Sequence, residues 1–129
     1  MLSCHNETES LERWGMSLSF SSSVSGIQAA SHMLSVSAYN VANMNTDGFK
    51  KQRASLSEGN HGMVAVNITE GAEPGPVYQH ANGAVVEASN VDINEEILRQ
   101  ISARHLFSAN AVALKTSGET QKGLLDLLA

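Results

Sequence analysis

The stretch FSSSVSGIQAASHMLSVSAYNVANMNTDGFK, residues 20–50, combines a periodic apolar pattern with an abrupt polar end. Its apolar positions recur in steps of four and three residues, which is the heptad period of helices that pack lengthwise against a partner. This apolar track consists of Phe20, Val24, Ile27, Leu34, Ala38 and Val41, with Ser31 as its one polar position. We therefore predict a long N-terminal helix whose apolar track packs against other helices.

The outer face of this predicted helix is neither charged nor strongly apolar. From position 14 to position 46 there is no Asp, Glu, Lys or Arg, and small polar residues are too frequent for a membrane span, which needs about 20 mostly apolar residues. A solvated helix normally carries charges opposite its apolar stripe. Small neutral side chains instead indicate close packing against protein on several sides.

Capping and turn residues bound the N-terminal helix. The serines at residues 21–23 are good N-cap residues and predict its start. At the other end, Asn43, Thr46 and Asp47 can hydrogen-bond nearby backbone, and Gly48 permits positive φ. We predict that the helix and this polar stop occupy residues 16–50, with Gly48 in the left-handed region.

A second long helix is predicted over residues 91–129. Asp92 is placed as its N-cap, and Glu95 follows at the spacing of a capping box. Its apolar track consists of Ile97, Ile101, Ala109, Val112, Leu124 and Leu127. Phe107 and Leu114 lie outside that track, so this helix needs more than one neighbour. We expect one neighbour to be the first helix and another to be a helix from a second copy.

The middle region, residues 51–90, carries strand and turn signals. Apolar residues alternate with others over residues 64–68, which predicts a half-buried strand. Asn82-Gly83 lies between two short apolar segments and is a strong hairpin signal. The predicted fold is mainly α, with two long terminal helices packing as an α-helical coiled coil and a small β-hairpin-like middle region.

Composition argues against several functional classes. The formal net charge of −5 is unfavourable for nucleic-acid binding, which requires a basic surface. A single cysteine, Cys4, cannot form an intrachain disulfide. The sequence has no Gly-rich phosphate loop, paired-cysteine metal site or nucleophile elbow. We therefore predict that the protein is not an enzyme and uses no metal or cofactor.

Residues 1–15 lack the periodicity that begins at Phe20 and contain no apolar run long enough for a signal peptide. Glu12-Arg13 can be encoded as GAGAGG, a purine-rich run that precedes Met16 as a bacterial ribosome-binding site would. We therefore expect residues 1–15 to be an extension upstream of the true start at Met16. A genuine disordered tail is the alternative.

Two motifs resemble those of bacterial flagellar rod and hook proteins. The N-terminal signature of that family reads as Asn, two residues, Asn, two residues, Thr, any residue, Gly, an aromatic residue and a basic residue. The matching positions here are Asn40, Asn43, Thr46, Gly48, Phe49 and Lys50. The sequence SNVDINEEI at residues 89–97 is similar to the start of the family's C-terminal helix, and residues 108–116 are similar to its middle. The motif positions in these two segments are Asn90, Val91, Asp92 and Asn110.

The resemblance implies a structural subunit of the flagellar basal-body rod, most like a short proximal rod subunit, although residues 45–50 are closer to the distal rod and hook group. It implies export through the flagellar type III apparatus without a cleaved signal peptide. It also implies helical assembly with further copies and with homologous rod and hook proteins. The product would be a periplasm-spanning drive shaft that transmits torque for motility. A soluble coiled-coil adaptor or export chaperone that shares only the helical periodicity is the alternative.

Overall fold

The computed structural model describes the backbone of residues 5–128 and the side chains of residues 20–127. Two long helices are joined by two small antiparallel sheets, so the mainly α fold with a β-rich middle is confirmed. Helix α1 spans His5–Ala42 and helix α2 spans Ile93–Leu128. The N-cap predicted at residues 21–23 is wrong, because these serines lie inside α1. The side chains of residues 1–15 lie outside the described part of the structure, so the predicted extension upstream of Met16 stays a prediction.

Four short strands connect the helices. Strand β1 (Gln52–Glu58) pairs with β2 (Val64–Glu70) across a short 3-10 turn (Asn60–Gly62). Strand β3 (Val77–Gln79) pairs with β4 (Val85–Glu87). The strand predicted at residues 64–68 is β2, and the predicted hairpin around Asn82-Gly83 is the turn between β3 and β4. Strand β1 was missed.

Helices α1 and α2 run antiparallel along each other. Asn40 of α1 contacts Glu96 of α2, whereas Gly26, near the other end, lies against Asn110. The residues that face the partner helix are buried or half-buried and recur at heptad spacing. We call them the interhelical seam: Ser23, Gly26, Ala30, Met33, Ser37 and Asn40 on α1, and Glu96, Gln100, Ala103, Asn110, Leu114 and Ser117 on α2.

The apolar core is small. Among the described side chains, the buried apolar residues are Ala29, Ala30, Val36 and Ala103. Hydrophobic stabilisation scales with the apolar area removed from water, so three alanines and one valine contribute little. Close approach of the two backbones and hydrogen bonds between polar side chains must therefore carry much of the helix packing. Within residues 5–128, neither helix is long and apolar enough to cross a membrane.

Gly26 illustrates the close approach of the helices. A Cβ atom built on Gly26 would lie 2.4 Å from Oδ1 and 2.6 Å from Cγ of Asn110, whereas one built on Gly123 would meet nothing within 4 Å. Gly-to-Ala changes in a helix normally stabilise it by about 1 kcal/mol. We expect Gly123→Ala to raise the free energy of unfolding, as measured by urea denaturation. Gly26→Ala should raise it less or lower it, because the Asn110 side chain must shift and give up its hydrogen bond to Leu106 O. Equal stabilisation by both changes would contradict this seam.

Candidate functional site

The predicted apolar track of α1 does not form the interhelical seam. Each of its members from Val24 to Val41 lies one position after a seam residue, as Leu34 follows Met33 and Ala38 follows Ser37. One position in an α-helix is a rotation of about 100° around the helix axis. The track therefore faces sideways from the contact with α2, and its members are half-buried or exposed.

Helix α2 shows the same offset at its N-terminal end. Ile97 follows the seam residue Glu96, and Ile101 follows Gln100. Ile97 is 47% exposed and Ile101 is 46% exposed, so both large apolar side chains are open to solvent in the single chain. The sequence identified these residues as apolar positions, and the structure leaves them free for a neighbour other than α1.

The two offset tracks lie on the same side of the helix pair. Both are rotated from the seam in the same sense along their own helix, and because α1 and α2 are antiparallel these rotations point to one common face. We call this surface the open face: Phe20, Val24, Ile27, Leu34, Ala38 and Val41 of α1 with Ile97 and Ile101 of α2. Four residues of the predicted α2 track lie elsewhere: Ala109 is rotated to the other side, Val112 lies midway between the seam residues Asn110 and Leu114 and points away from α1, and Leu124 and Leu127 are exposed near the helix end.

The opposite side of the helix pair is covered by strands β1 and β2. Val64 N donates a 3.0 Å hydrogen bond to Ser25 Oγ, and Ala29 and Val36 are buried on that side of α1. On α2, Glu95 precedes a seam residue and contacts Lys51 at the start of the hairpin. The helix pair thus has one covered face and one open face, which is apolar along α1 and at the start of α2 and carries Arg104 and Lys115 further along α2.

The two sequence motifs meet where α1 ends and α2 begins. Asn40, on the last turns of α1, is fully buried and pairs with the backbone of Gln52 like a neighbouring strand. Its Nδ2 donates to Gln52 O at 2.7 Å, and its Oδ1 accepts from Gln52 N at 2.8 Å. The same Nδ2 donates to Glu96 Oε1 at 2.9 Å. Asn40 therefore joins α1, β1 and α2, and we call this region the motif junction.

Asn90, which belongs to the second sequence motif, also holds the motif junction together. Its Oδ1 accepts from Lys51 N at 2.7 Å, its Nδ2 donates to Glu73 O at 2.7 Å, and its backbone N donates to Phe49 O at 3.3 Å. Asn90 thus fastens the entry to α2 onto the exit from α1. Sequence reasoning named it as a motif residue without finding these partners.

The polar stop is a compact turn held by its own side chains. Asn43 Nδ2 donates to Tyr39 O at 2.9 Å, and Thr46 Oγ1 donates to Asn43 Oδ1 at 3.4 Å. Phe49 packs edge-on against the Tyr39 ring, with centroids 5.4 Å apart. Gly48 has φ +69, as predicted, and its N donates to Glu87 O at 2.7 Å. The turn therefore docks directly onto strand β4.

A β-branched residue at Gly48 should weaken this docking. A Cβ at Gly48 meets nothing within 4 Å, so the effect of a substitution comes from backbone conformation alone. Holding Val at positive φ costs roughly 1–3 kcal/mol. We expect Gly48→Val to lower the free energy of unfolding, measured by urea denaturation, more than Asn43→Ala, which removes side-chain hydrogen bonds only. If Asn43→Ala lowers it and Gly48→Val does not, the turn is held by its side chains instead.

Lys50 connects the same turn to the loop before β3. Its Nζ forms an ion pair with Glu87 and also donates to Glu73 O at 3.3 Å. A hydrogen bond from Lys50 and, to a smaller extent, one from Gly75 N lower the pKa of the Glu87 carboxyl below its usual value. Gly75 is buried, and a Cβ there would lie only 2.0 Å from Ala88 O. The loop can approach the segment between β4 and α2 this closely only with glycine.

The start of α2 departs from the predicted capping box. Asp92 is the N-cap as predicted, since α2 begins at the next residue and Asp92 Oδ1 accepts from Asn94 N at 2.8 Å. The Glu95 carboxylate instead binds Lys51 Nζ at 2.7 Å and Arg99 at 2.6 Å. Val91 and Asn110 make local contacts: Val91 N donates to Ser89 Oγ, and Asn110 Nδ2 donates to Leu106 O.

The ion cluster around Glu95 makes the junction sensitive to acid. Hydrogen bonds from Lys51 and then Arg99 lower the pKa of Glu95 from 4.5 to about 2. A carboxyl whose pKa falls on folding stabilises the folded state when ionised, so this contribution is complete above about pH 4.5 and disappears as the pH approaches 2. The Glu95 side chain is 34% exposed, so solvent screening reduces the contribution to about 1 kcal/mol.

Glu95→Gln isolates this contribution. We expect the variant to be less stable than the unmodified protein at pH 7 and nearly equal to it at pH 2.5, as measured by urea unfolding at each pH. Glu119→Gln is the control, because Glu119 is 66% exposed and has only a 3.8 Å contact with Lys115. A stability difference that does not change between pH 7 and pH 2.5 would contradict the assigned ion pairs.

The open face and the motif junction are not accompanied by a metal-binding group in the described part of the chain. Among the side chains of residues 20–127, no three His, Cys, Asp or Glu are grouped so as to hold a metal ion. The two candidate functional features are therefore the open face, which is a surface for protein packing, and the motif junction, whose rigid turn orients the strands.

Comparison with known families matches both ends of the chain. The family described as flagella basal body rod protein matches residues 20–50, and the family described as flagellar basal body rod FlgEFG protein C-terminal matches residues 81–127. No curated protein matches the chain. The first match includes the motif from Asn40 to Lys50, the second includes Asn90 and Asn110, and the two matched segments pack together as α1 and α2. This chain therefore belongs to the flagellar basal-body rod and hook family of structural proteins.

Proposed function

We propose that this protein is a rod subunit that stacks helically with other copies and with homologous rod and hook proteins to form the axial drive shaft. Family membership supports a structural role in the flagellar rod or hook and a location in the basal body. The observation that carries the finer proposal is the open face. Apolar side chains from both helices are gathered on one side of the pair, and no element of the described residues covers them.

The open face is suited to a helix of a neighbouring subunit. Its tracks keep the heptad spacing that lets helices pack lengthwise, one position away from a seam with the same spacing. Each helix would thus use one stripe within the subunit and a second stripe between subunits, as in a coiled-coil bundle. The residues proposed for assembly are those of the open face, with Leu124 and Leu127 at the far end of α2.

Head-to-tail repetition of such a contact generates a helical shaft when the rotation between copies does not close a ring. Torque would then pass through helices packed along their length. The motif junction would contribute stiffness, because Asn40, Asn90 and Gly48 fix the β strands relative to both helices. The proposed location is the periplasm-spanning rod, and the short middle region favours a proximal position.

We further propose export through the flagellar type III apparatus without a cleaved signal peptide, followed by ordering on assembly. The small apolar core predicts a monomer of low stability, which suits a chain that passes an export channel unfolded. Contacts with neighbours that bind only the folded chain would then stabilise it by mass action. Amide exchange should accordingly be rapid in the dilute monomer and slow in the assembled rod.

The proposal is tested by removing the gene and examining purified basal bodies. We expect the deletion strain to be non-motile, and we expect antibody against the protein to detect it in basal bodies purified from the parent strain. An adaptor or export chaperone would be needed for motility yet absent from purified basal bodies. Absence of the protein from intact basal bodies would therefore refute the rod assignment and favour that alternative.

A further inference from the structure

The largest fully buried side chains of the described residues are polar. They are Glu96, Asn40 and Ser37, and all three belong to the interhelical seam. Together with Gln100 they form what we call the polar cluster. Meanwhile the large apolar residues of the open face remain exposed, with Val24 at 42% and Ile101 at 46%. The helix pair thus buries polar groups and exposes apolar ones.

An alternative arrangement of the same helices reverses this burial. Turning each helix by about 100° would bring the apolar tracks together, with Leu34 near Ile101, and would take the polar cluster out of the contact between the helices. The hydrophobic effect favours that facing. Seam residues such as Ala30 and Ala103 pack without directional bonds, so they discriminate weakly between the two facings.

The polar cluster contains bonds that require the observed facing. Ser37 Oγ donates to Glu96 O at 3.3 Å, Gln100 Nε2 donates to Ser37 Oγ at 3.1 Å, and Asn40 Nδ2 donates to Glu96 Oε1 at 2.9 Å. Glu96 Oε2 has no hydrogen-bond partner within the described residues. Burying these polar groups costs little free energy only while the hydrogen bonds between α1 and α2 are formed.

We propose that the polar cluster is the positioning element that fixes which faces of α1 and α2 meet, and that it thereby keeps the apolar tracks on the open face. Which faces of the two helices meet does not depend on the proposed function. The consequence rests on that function: apolar surface that would otherwise be buried within the monomer stays available to neighbouring subunits.

Disulfide trapping in purified protein tests the facing directly, with Cys4→Ser as the background. Met33→Cys with Ala103→Cys reports the seam, because the helix register places these positions opposite each other. Leu34→Cys with Ile101→Cys reports the reversed facing, since two track positions on one open face are too far apart for a disulfide. Each pair is measured in the unmodified cluster and in the Glu96→Ala/Gln100→Ala variant.

We expect the seam pair to dominate in the unmodified cluster. In Glu96→Ala/Gln100→Ala, Asn40 loses the Glu96 carboxylate and Ser37 loses Gln100, while the bond from Ser37 Oγ to the backbone oxygen of residue 96 remains. We therefore expect the ratio of track to seam disulfide to rise about tenfold or more. Asn94→Ala/Leu98→Ala, on the exposed side of the same turns, should leave the ratio unchanged. Glu96→Gln, which keeps an acceptor for Asn40, should retain the seam pair.

Two outcomes would overturn the proposal. If the seam disulfide still dominates in Glu96→Ala/Gln100→Ala while helicity by circular dichroism is intact, the motif junction alone fixes the facing. If that variant and the milder Gln100→Ala both lose helicity and form neither disulfide, the cluster supplies stability and does not select a face. Neither result would bear on whether the protein occurs in basal bodies, so the proposed function is tested separately.

Discussion

Asn40→Asp is expected to disrupt the motif junction and unfold much of the isolated protein. Asn40 is fully buried, and its Nδ2 donates to both Gln52 O and Glu96 Oε1. Aspartate has nearly the same shape but no N–H group, so a carboxylate would face two acceptors, one of them the Glu96 carboxylate. An uncompensated buried charge costs about 3–5 kcal/mol, which is a large part of the stability of an ordinary domain.

Circular dichroism and urea unfolding at pH 7 measure this effect. Asn45→Asp is the matched control, because Asn45 lies in the polar stop just beyond the end of α1 and is exposed. We expect Asn45→Asp to change the free energy of unfolding by less than about 0.5 kcal/mol. Native-like stability of Asn40→Asp would mean that the pairing of Asn40 with Gln52 and Glu96 does not hold the junction together.

Ile101→Asp is expected to abolish motility while leaving the monomer folded and exported. Ile101 is 46% exposed in the single chain, so a carboxylate there stays hydrated and should change monomer stability little. In the assembled rod the same side chain would be covered, and an unpaired charge in a dry interface costs several kcal/mol. Leu34→Asp, on the α1 part of the open face, should act in the same way.

Ser102→Asp provides the control for Ile101→Asp. Ser102 is exposed on the same turn of α2, away from the open face. We expect the Ser102→Asp strain to swim, the Ile101→Asp strain to be non-motile, and both subunits to be exported. Glu73→Lys is not a suitable control. The sequence alone indicates no constraint on this loop, but Glu73 Oε2 lies 3.7 Å from Arg53 and 3.9 Å from Lys51. Normal swimming of Ile101→Asp would contradict the role of the open face.

The heptad period of both helices could be read from the sequence, but the identity of the intrachain seam could not. Apolar residues stand out in a sequence, so Leu34 and Ile101 were predicted as packing positions, but in the single chain they lie beside the intrachain seam. The seam beside them consists of residues such as Ser37, Ala30 and Gly26. These small residues let the two helix backbones approach closely, and this contribution can be recognised only when the partner helix is known. From the sequence alone, Gly26 is expected only to destabilise a helix. In the structure, Asn110 occupies the space where a Cβ on residue 26 would lie.

The motif junction was predictable in its backbone and not in its contacts. Gly48 could be assigned positive φ because glycine after a polar helix end commonly adopts it. The pairing of Asn40 with Gln52, and of Asn90 with Lys51, joins residues far apart in the chain, for which local spacing carries no signal. Glu95 has the spacing of a capping box, yet Lys51 and Arg99 are stronger partners because they carry charge.

Thiol protection of the open face tests most directly whether copies stack through it. Single cysteines at Ile101 and, separately, Val24 in a Cys4→Ser background are treated with a maleimide reagent, first in the free subunit and then in purified basal bodies. We predict rapid labelling of both positions in the free subunit, where both residues are more than a third exposed, and strong protection in basal bodies. Equal labelling in the two states would contradict assembly through the open face.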